Sequence, residues 1–463
     1  MQEWVKKELK HMDLKDERLV NRLGMLLEAF TEKPSSSIPK ACGSPAETKA
    51  AYRFFENERV EADEIREGHF KATVERAKEH KTILAISDST GLVYSSHKKL
   101  KGIGVLRNFQ ARGLVLHSCL LATPEEEVIG LVYQKDWRRK PEDYGKRALR
   151  AKLNIKDKES NVWPESFIQT QKYLEGHSHV IFVGDRGADM LALFNTPRGP
   201  NFDILVRACF NRRIENSKKK LFEYLEEAKL LGYKEIEVEH PETKKTRNVT
   251  LEIRSTSVTL SAKNRLKRNN LKSATMNAVV AKEVASSEPS DEKIYWRLLT
   301  TLPVENLEDA IQCIEYYKTR WLIERYHFVL KSGCKIQELQ LNDAVKIGRA
   351  LATYSIAAWR LMSITYLARV KPDSPCTIAL EEDEWKALHC YVNKTKKVPK
   401  KPPTMAEALV QIARIGGFQA RKADGPPGLK TVWVGLLALS YITDSYRLWG
   451  KKTLSKGVNM RCG

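Results

Sequence analysis

The 463-residue sequence predicts an α/β fold: a mixed sheet with a β-rich insertion, flanked by helical regions at both ends. Three observations carry that reading. Two apolar, β-rich runs end in polar residues, "KTILAISDST" (81–90) and "HVIFVGD" (179–185), as buried strands do. A pair of apolar runs surrounds a "TPEEE" turn at 113–137, the pattern of an antiparallel hairpin. Helical text opens the chain and returns from residue 306 onward.

The first 75 or so residues read as helices, beginning with "EWVKKELKHM" and "DERLVNRLGMLLEAFTEK". After a Ser/Pro loop, Ser44-Pro45-Ala46-Glu47 supplies the cap residue, first-turn proline and third-position glutamate of a helix start. The helix it opens contains "ETKAAYRFFEN", with Lys49, Tyr52 and Arg53 close together. Such a small basic helical module suits a DNA-binding arm. Beyond the first strand and the hairpin, helical text at 143–176 leads to the second buried strand. A helix, "RGADMLALF", and a strand, "FDILVRA", follow, and parallel and antiparallel strands then share one sheet.

Between residues 210 and 302 one helix near 219–230 precedes short strand-like runs: "YKEIEVEH", "RNVTLEIRSTSVTL", "ATMNAVVAKEV" and "YWRLLTTL". They read as an insertion, because helical text resumes at 306. A long amphipathic helix is expected at 341–370, and a basic, proline-containing linker at 393–403 precedes a last helical region. The division expected is a helical DNA-binding domain over 1–75, a catalytic α/β domain over 76–372 and a helical C-terminal domain over 373–463. No internal repeat is evident.

Lys and Arg number 79 against 58 for Asp and Glu, a formal charge of +21 with a pI near 9.4. The basic residues cluster at 207–220, 263–272 and 393–403. Any one such run reads as a solvated face, but three of them with so large an excess point to a polyanion, and nucleic acid is the natural partner. The eight cysteines show no C-x-x-C pair or regular spacing, which argues against a zinc site or a disulfide framework. The charged N-terminus lacks an apolar signal core, so a reducing, cytoplasmic setting is expected. The uncharged apolar stretch at 431–443 is shorter than the roughly 20 residues of a membrane span, and no membrane partner is expected.

The segment "YKTRWLIERYHFVLKSG" (317–333) has a helical make-up interrupted by Tyr317, Arg320, Glu324 and Lys331. Steps of three, four and seven return to nearly the same side of a helix, so one wall presents a carboxylate among donors. Trp321, Ile323, Leu330 and parts of Tyr326 and Phe328 are the apolar surface expected to anchor it. Taken alone, the segment reads as a surface helix with an i,i+4 pair between Arg320 and Glu324. Asp88 and Asp185, however, stand at the carboxyl ends of predicted core strands, where α/β sheets build their sites. A lone aspartate there is more often a cap or turn former; two of them with Glu324 could converge on one point. Such carboxylates repel one another unless cations neutralise them. Mg²⁺ favours oxygen ligands and substrate phosphates, and two such ions can drive in-line phosphoryl transfer.

Together, "ISDST", "VGDRGADM" and "YKTRWLIERYHFVLKSG" resemble the Asp-Asp-Glu transposases of bacterial insertion sequences, in the IS-four family that includes the Tn-five transposase. The last segment matches that family's Tyr-x-x-Arg-x-x-x-Glu-x-x-x-x-x-x-Lys signature at every named position, and "AYRFFEN" and "IARIGGFQARKADGPPG" (412–428) extend the resemblance over most of the chain. It implies a ribonuclease-H-like catalytic domain, with Asp88, Asp185 and Glu324 as catalytic metal ligands for Mg²⁺, Mn²⁺ substituting. Cut-and-paste transposition by a homodimer bound to two element ends follows from it, in a bacterial, nucleoid-associated setting. Tyr317, Arg320, Lys331 and Arg207 become phosphate contacts by the same resemblance. Trp296 matches a tryptophan that receives a flipped base, its other reading being a core aromatic.

Phe328 stands where a relative carries a second lysine, and the N-terminal extension is shorter. Arg18, Lys49 and Arg53 are candidate end-binding residues. His177 and His179 are expected to be surface groups. The alternatives are a DNA-binding protein derived from a transposase that no longer catalyses, and a nuclease of the same fold.

Overall fold

The computed structural model of the protein describes residues 1–106, 111–140, 142, 153–239, 246–262, 271–286, 293–421 and 424–450. Five helices come first: α1 (Glu3–Leu9), α2 (Glu17–Glu32), α3 (Ile38–Cys42), α4 (Pro45–Glu56) and α5 (Ala62–Ala77). The expected start of α4 is present, with Ser44 accepting from the Glu47 N–H at 3.2 Å. The Glu47 carboxylate does not close a capping box; it pairs instead with Arg22, joining α4 to α2.

Ten strands follow in one sheet: β1 (Thr82–Val93), β2 (Gly104–Val105), β3 (Arg112–Ala122), β4 (Val128–Trp137), β5 (His179–Gly184), β6 (Phe202–Arg207), β7 (Lys229–Glu239), β8 (Thr246–Leu260), β9 (Ala274–Ser286) and β10 (Tyr295–Thr300). The order is β2-β3-β1-β5-β6-β10-β9-β8-β7, with β4 paired to β3. Strands β1, β5 and β6 run parallel and the remaining pairings are antiparallel. The β-rich stretch is therefore no separate module. Its last strand, β10, pairs with β6 and carries β9, β8 and β7 outward as a continuation of the central sheet.

Alternation along the strands divides the interior in two. Leu84, Ile86, Ile181 and Val183 face one core, and Ile83, Ala85, Val180 and Phe182 the other. The second core is covered by α6 (Val162–Tyr173), with α7 (Leu191–Phe194) and α8 (Leu221–Glu226) near it. The text "RGADMLALF" does not make one helix: a 3₁₀ turn over Arg186–Ala188 precedes the four-residue α7. Of the helical text at 143–176, residues 143–152 lie outside the described residues.

The first core is covered by α9 (Leu307–Thr319), α10 (Trp321–Phe328) and α11 (Ala344–Val370), together with the terminal helices. Helix α11 was expected to be amphipathic but is buried on nearly all sides, because α2, α5 and β4 all pack against it. Its Arg349 is buried with them, donating to the Val60 and Phe55 carbonyls at 2.7 and 3.0 Å and so capping the end of α4. The apolar text at 341–370 thus spans a bundle centre rather than a one-sided surface helix.

The C-terminal helices are α12 (Glu382–Val392), α13 (Met405–Ile415) and α14 (Leu429–Ser445). No helix among the described residues is long and apolar enough to cross a membrane. Helix α13 opens with a full capping box between Thr404 and Glu407. It crosses α14 so closely that a Cβ on Gly435 would lie 1.9 Å from the Ile412 carbonyl oxygen. Gly435→Ala is accordingly expected to force the two helices apart and to cost about 1–3 kcal/mol. A lowered melting temperature with unchanged secondary structure would register this; an unchanged one would contradict the close crossing.

At the outer rim, β7 carries Lys229, Lys234, Glu235 and Glu237 and a register break between Leu230 and Gly232.

Candidate active site

The parallel ladder of β1 and β5 ends at Ser87 and Gly184, so Asp88 and Asp185 occupy the next row on neighbouring strands. Adjacent strands lie about 4.8 Å apart, which sets the two carboxylates side by side. Asp88 is not at a strand end, contrary to the sequence reading. Strand β1 continues to Val93 on β3, with Asp88 opposite Ser118, while β5 stops and turns away. Asp185 caps that turn, its Oδ1 accepting from the Gly187 N–H at 2.7 Å. The turn needs Gly184, because a Cβ there would lie 2.4 Å from that of Ala188.

The segment 317–333 is not one regular helix. Helix α9 ends at Thr319, Arg320 makes the joint, α10 ends at Phe328, and Val329–Gly333 forms a π-helical turn. Ile323, Tyr326 and Leu330 are fully buried as anchors. Trp321 is 55% exposed and Phe328 39%, so neither is the anchor expected of it. Tyr326 is further pinned by a buried network: Gln134 donates to its hydroxyl at 3.2 Å and accepts from Ser355 at 3.0 Å.

This anchoring aims the polar wall at the aspartates. Arg320 Nη2 donates to Glu324 Oε1 at 2.6 Å. Lys331 Nζ donates to Thr90 Oγ1 at 2.6 Å; Thr90 lies two residues past Asp88 and therefore on the same face of β1. Burial, and then the Asp185 charge, pushes the Asp88 carboxyl up to about 7, with Glu324 adding to this and Arg320 opposing it. Burial lowers the Lys331 ammonium, which the Asp88 charge in part restores.

Tyr317 is buried between two arginines, Arg320 and Arg207, which both oppose the upward push of burial on its hydroxyl. Arg207 ends β6 and donates to the Tyr295 carbonyl at 3.1 Å. Trp296 on β10 is half-buried, its ring edge-on to Tyr317 with centroids 5.5 Å apart. Phe328 packs on Trp433 of α14 with centroids 5.4 Å apart.

The donor set consists of hard carboxylate oxygens, with Asp88 and Asp185 in the same row of neighbouring strands, which suits a divalent cation. Among the described residues, no three His, Cys, Asp or Glu side chains are gathered tightly enough to hold a metal ion as they stand. Glu324 is instead engaged by Arg320.

Three polar neighbours escaped the sequence reading: Thr90, His117 and His327. His327 is buried with its Nδ1 4.0 Å from Asp88 Oδ2, and His117 meets Ser89 Oγ at 2.7 Å. The spacing of His327 three residues after Glu324 was the available signal.

The N-terminal candidates stand apart from this site. Lys49 and Arg53 line an open hollow of about 680 Å³ at the start of α4. Arg18 is exposed and held by Asp16 at 2.9 Å. His177 and His179 are half-buried and structurally engaged, with the Ala77 carbonyl and Asp203, each at 3.1 Å. Of the basic runs, Lys394, Lys396, Lys397, Lys400 and Lys401 are exposed in the linker, whereas most of 263–272 lies outside the described residues.

Comparison with known families gives three matches in chain order. Residues 1–60 match the Transposase DNA-binding family, 156–360 the Transposase DDE domain and 356–452 the Transposase Tn5 dimerisation domain. Asp185 and Glu324 fall inside the second match, and Asp88 lies between the first two. DNA binding and homodimer formation follow from the first and third, and use of a divalent metal ion, in general terms, from the second. With its mixed ribonuclease-H-like sheet and helices at both ends, the chain belongs to the Tn5-like, IS4-family DDE transposases.

Proposed function

We propose that the protein is a cut-and-paste transposase that binds the terminal inverted repeats of its element, cleaves the ends and joins the freed 3′-hydroxyls to target DNA. The observation that carries this reading is the placing of Asp88 and Asp185 side by side where two parallel strands part, facing Glu324 and flanked by Arg320 and Lys331. Asp88, Asp185 and Glu324 would hold Mg²⁺, for which Mn²⁺ substitutes. Bound there, divalent ions would supply Lewis-acid polarisation of the phosphoryl group and a more acidic attacking hydroxyl.

The protein's own groups bind and orient the DNA around that centre. Lys331, Tyr317, Arg320 and Arg207 grip phosphates beside the scissile bond, and the half-buried Trp296 stacks on an unpaired base. Residues 1–75, with Arg18, Lys49 and Arg53, recognise the element's end. Residues 76–372, including the β-rich 210–302, carry the chemistry, and 373–463 pair the subunits.

The test is incubation with Mg²⁺ and duplexes carrying the DNA that flanks the gene. The expected products are a 3′-hydroxyl at the element's boundary and strand-transfer joints. Cutting without joints would favour a nuclease of this fold, and binding without cutting a transposase-derived protein that no longer catalyses.

A further inference from the structure

We propose that Arg320 is a stand-in cation, holding Glu324 in the DNA-free protein and surrendering it to the divalent ion only when a DNA phosphate draws the guanidinium away. The inference rests on the assignment of Asp88, Asp185 and Glu324 as ion ligands.

Four observations support it. Glu324, the acid contributed by a helix, is bonded to Arg320 at 2.6 Å rather than gathered with the aspartates, and no three acids form a ready cage among the described residues. Arg320 is also the more enclosed of the pair, its side chain 16% exposed against 33% for Glu324, as a resident counter-ion would be. Its guanidinium is only partly tethered: Nε is buried without a hydrogen-bond partner, the Tyr317 ring lies 5.7 Å away, and among the described residues its one ion pair is with Glu324. Finally, Arg320 sits at the joint between α9 and α10, one turn from Tyr317 and near Arg207, where positive groups gather to meet a phosphate.

The chemistry of exchange is favourable. A guanidinium matches a phosphate's paired oxygens as well as it matches a carboxylate, so arriving DNA offers Arg320 an equivalent partner. Loss of the guanidinium removes the one cation paired with Glu324 among the described residues, and repulsion among the three carboxylates then favours ion binding. Ion and DNA should consequently bind cooperatively, each raising the affinity of the other by the same factor. The gate would keep a DNA-free transposase from assembling a loaded centre.

The experiment is titration of Mn²⁺ into the full chain, followed by electron paramagnetic resonance, with and without a saturating short duplex of the DNA flanking the gene. Wild-type protein should bind Mn²⁺ about 5-fold or more tightly with the duplex, within the usual range of coupling between sites. Arg320→Gln should bind it comparably tightly without DNA and lose most of that dependence, whereas Arg320→Lys, which keeps the charge but not the fork, should fall between the two and guard against a folding artefact. If Arg320→Gln binds no more tightly than wild type, or wild type responds equally with and without the duplex, the gate is refuted. Asp185→Asn and Glu324→Gln separate the two ideas. Should neither weaken Mn²⁺ binding in the DNA complex, the ligand assignment fails; should both weaken it while Arg320→Gln changes nothing, only the gate does.

Discussion

Replacing Asp185 by Asn is expected to lower DNA cleavage by about a thousandfold or more while leaving binding to the element's ends within a few-fold of wild type. The substitution keeps the side-chain oxygen that accepts from the Gly187 N–H, so the turn after β5 retains its cap. What it removes is one of two charges set side by side at the parting of β1 and β5. Lewis-acid stabilisation of a phosphoryl transition state is worth several kcal/mol, and each 1.4 kcal/mol is about tenfold in rate, which gives the expected size. Binding survives because the Transposase DNA-binding match covers residues 1–60, on helices that do not contribute to the site. Cleavage and gel-shift assays on one preparation measure both. A variant that cut within tenfold of wild type would remove Asp185 from the chemistry.

The second large effect concerns stability. Glu8 on α1 is fully buried, accepting from His69 Nδ1 at 2.7 Å and pairing with Arg76. His69 Nε2 accepts from the Leu131 N–H at 3.1 Å, so a neutral imidazole in one tautomer satisfies both neighbours. Arg76 in turn lies over Trp359 at 4.1 Å, tying α1 and α5 to the central α11. Glu8→Ala would leave the His69 imidazole N–H buried without a partner and deprive the partly buried Arg76 of its carboxylate, although Arg76 keeps the Ile129 carbonyl and Thr73, at a cost of about 3 kcal/mol.

Burial alone would raise the Glu8 carboxyl, but Arg76 and His69 outweigh it and hold it down to about 2, against an ordinary 4.5. A depressed carboxyl contributes its full stability above 4.5 and loses it as the pH falls through 2. The gap in urea midpoint between wild type and Glu8→Ala should therefore be wide at pH 7 and narrow markedly by pH 3. A gap independent of pH would show that Glu8 acts by packing and not by charge.

Local signals carried much of the fold. The strands β1, β3, β4, β5 and β6 were legible because their apolar runs and bounding turns are properties of a few consecutive residues. The four later strands were legible one by one, but their union with the central sheet was not, since it depends on β10 pairing with β6 across some ninety residues. Helix α11 was misjudged for a related reason: sequence alone does not show that helices from both ends surround it.

In the site, the i,i+4 spacing of Arg320 and Glu324 disclosed their contact, and family resemblance singled out the acids. Trp321 misled because aromatic residues usually bury, whereas the break at Arg320 turns it outward. Thr90, His117 and His327 went unnoticed because a polar residue in a strand or helix announces a role only when its spatial neighbours are known.

The charged, irregular rim at β7 has a consequence for a protein that works in pairs. A sheet this wide ends in a row of unsatisfied backbone amides and carbonyls, a template onto which another molecule's strand could zip. Lys229, Lys234, Glu235 and Glu237 and a kink near Gly232 make that rim a poor match for its own copy, so self-association is steered away from fibre-like growth and left to the helices at the far end of the chain.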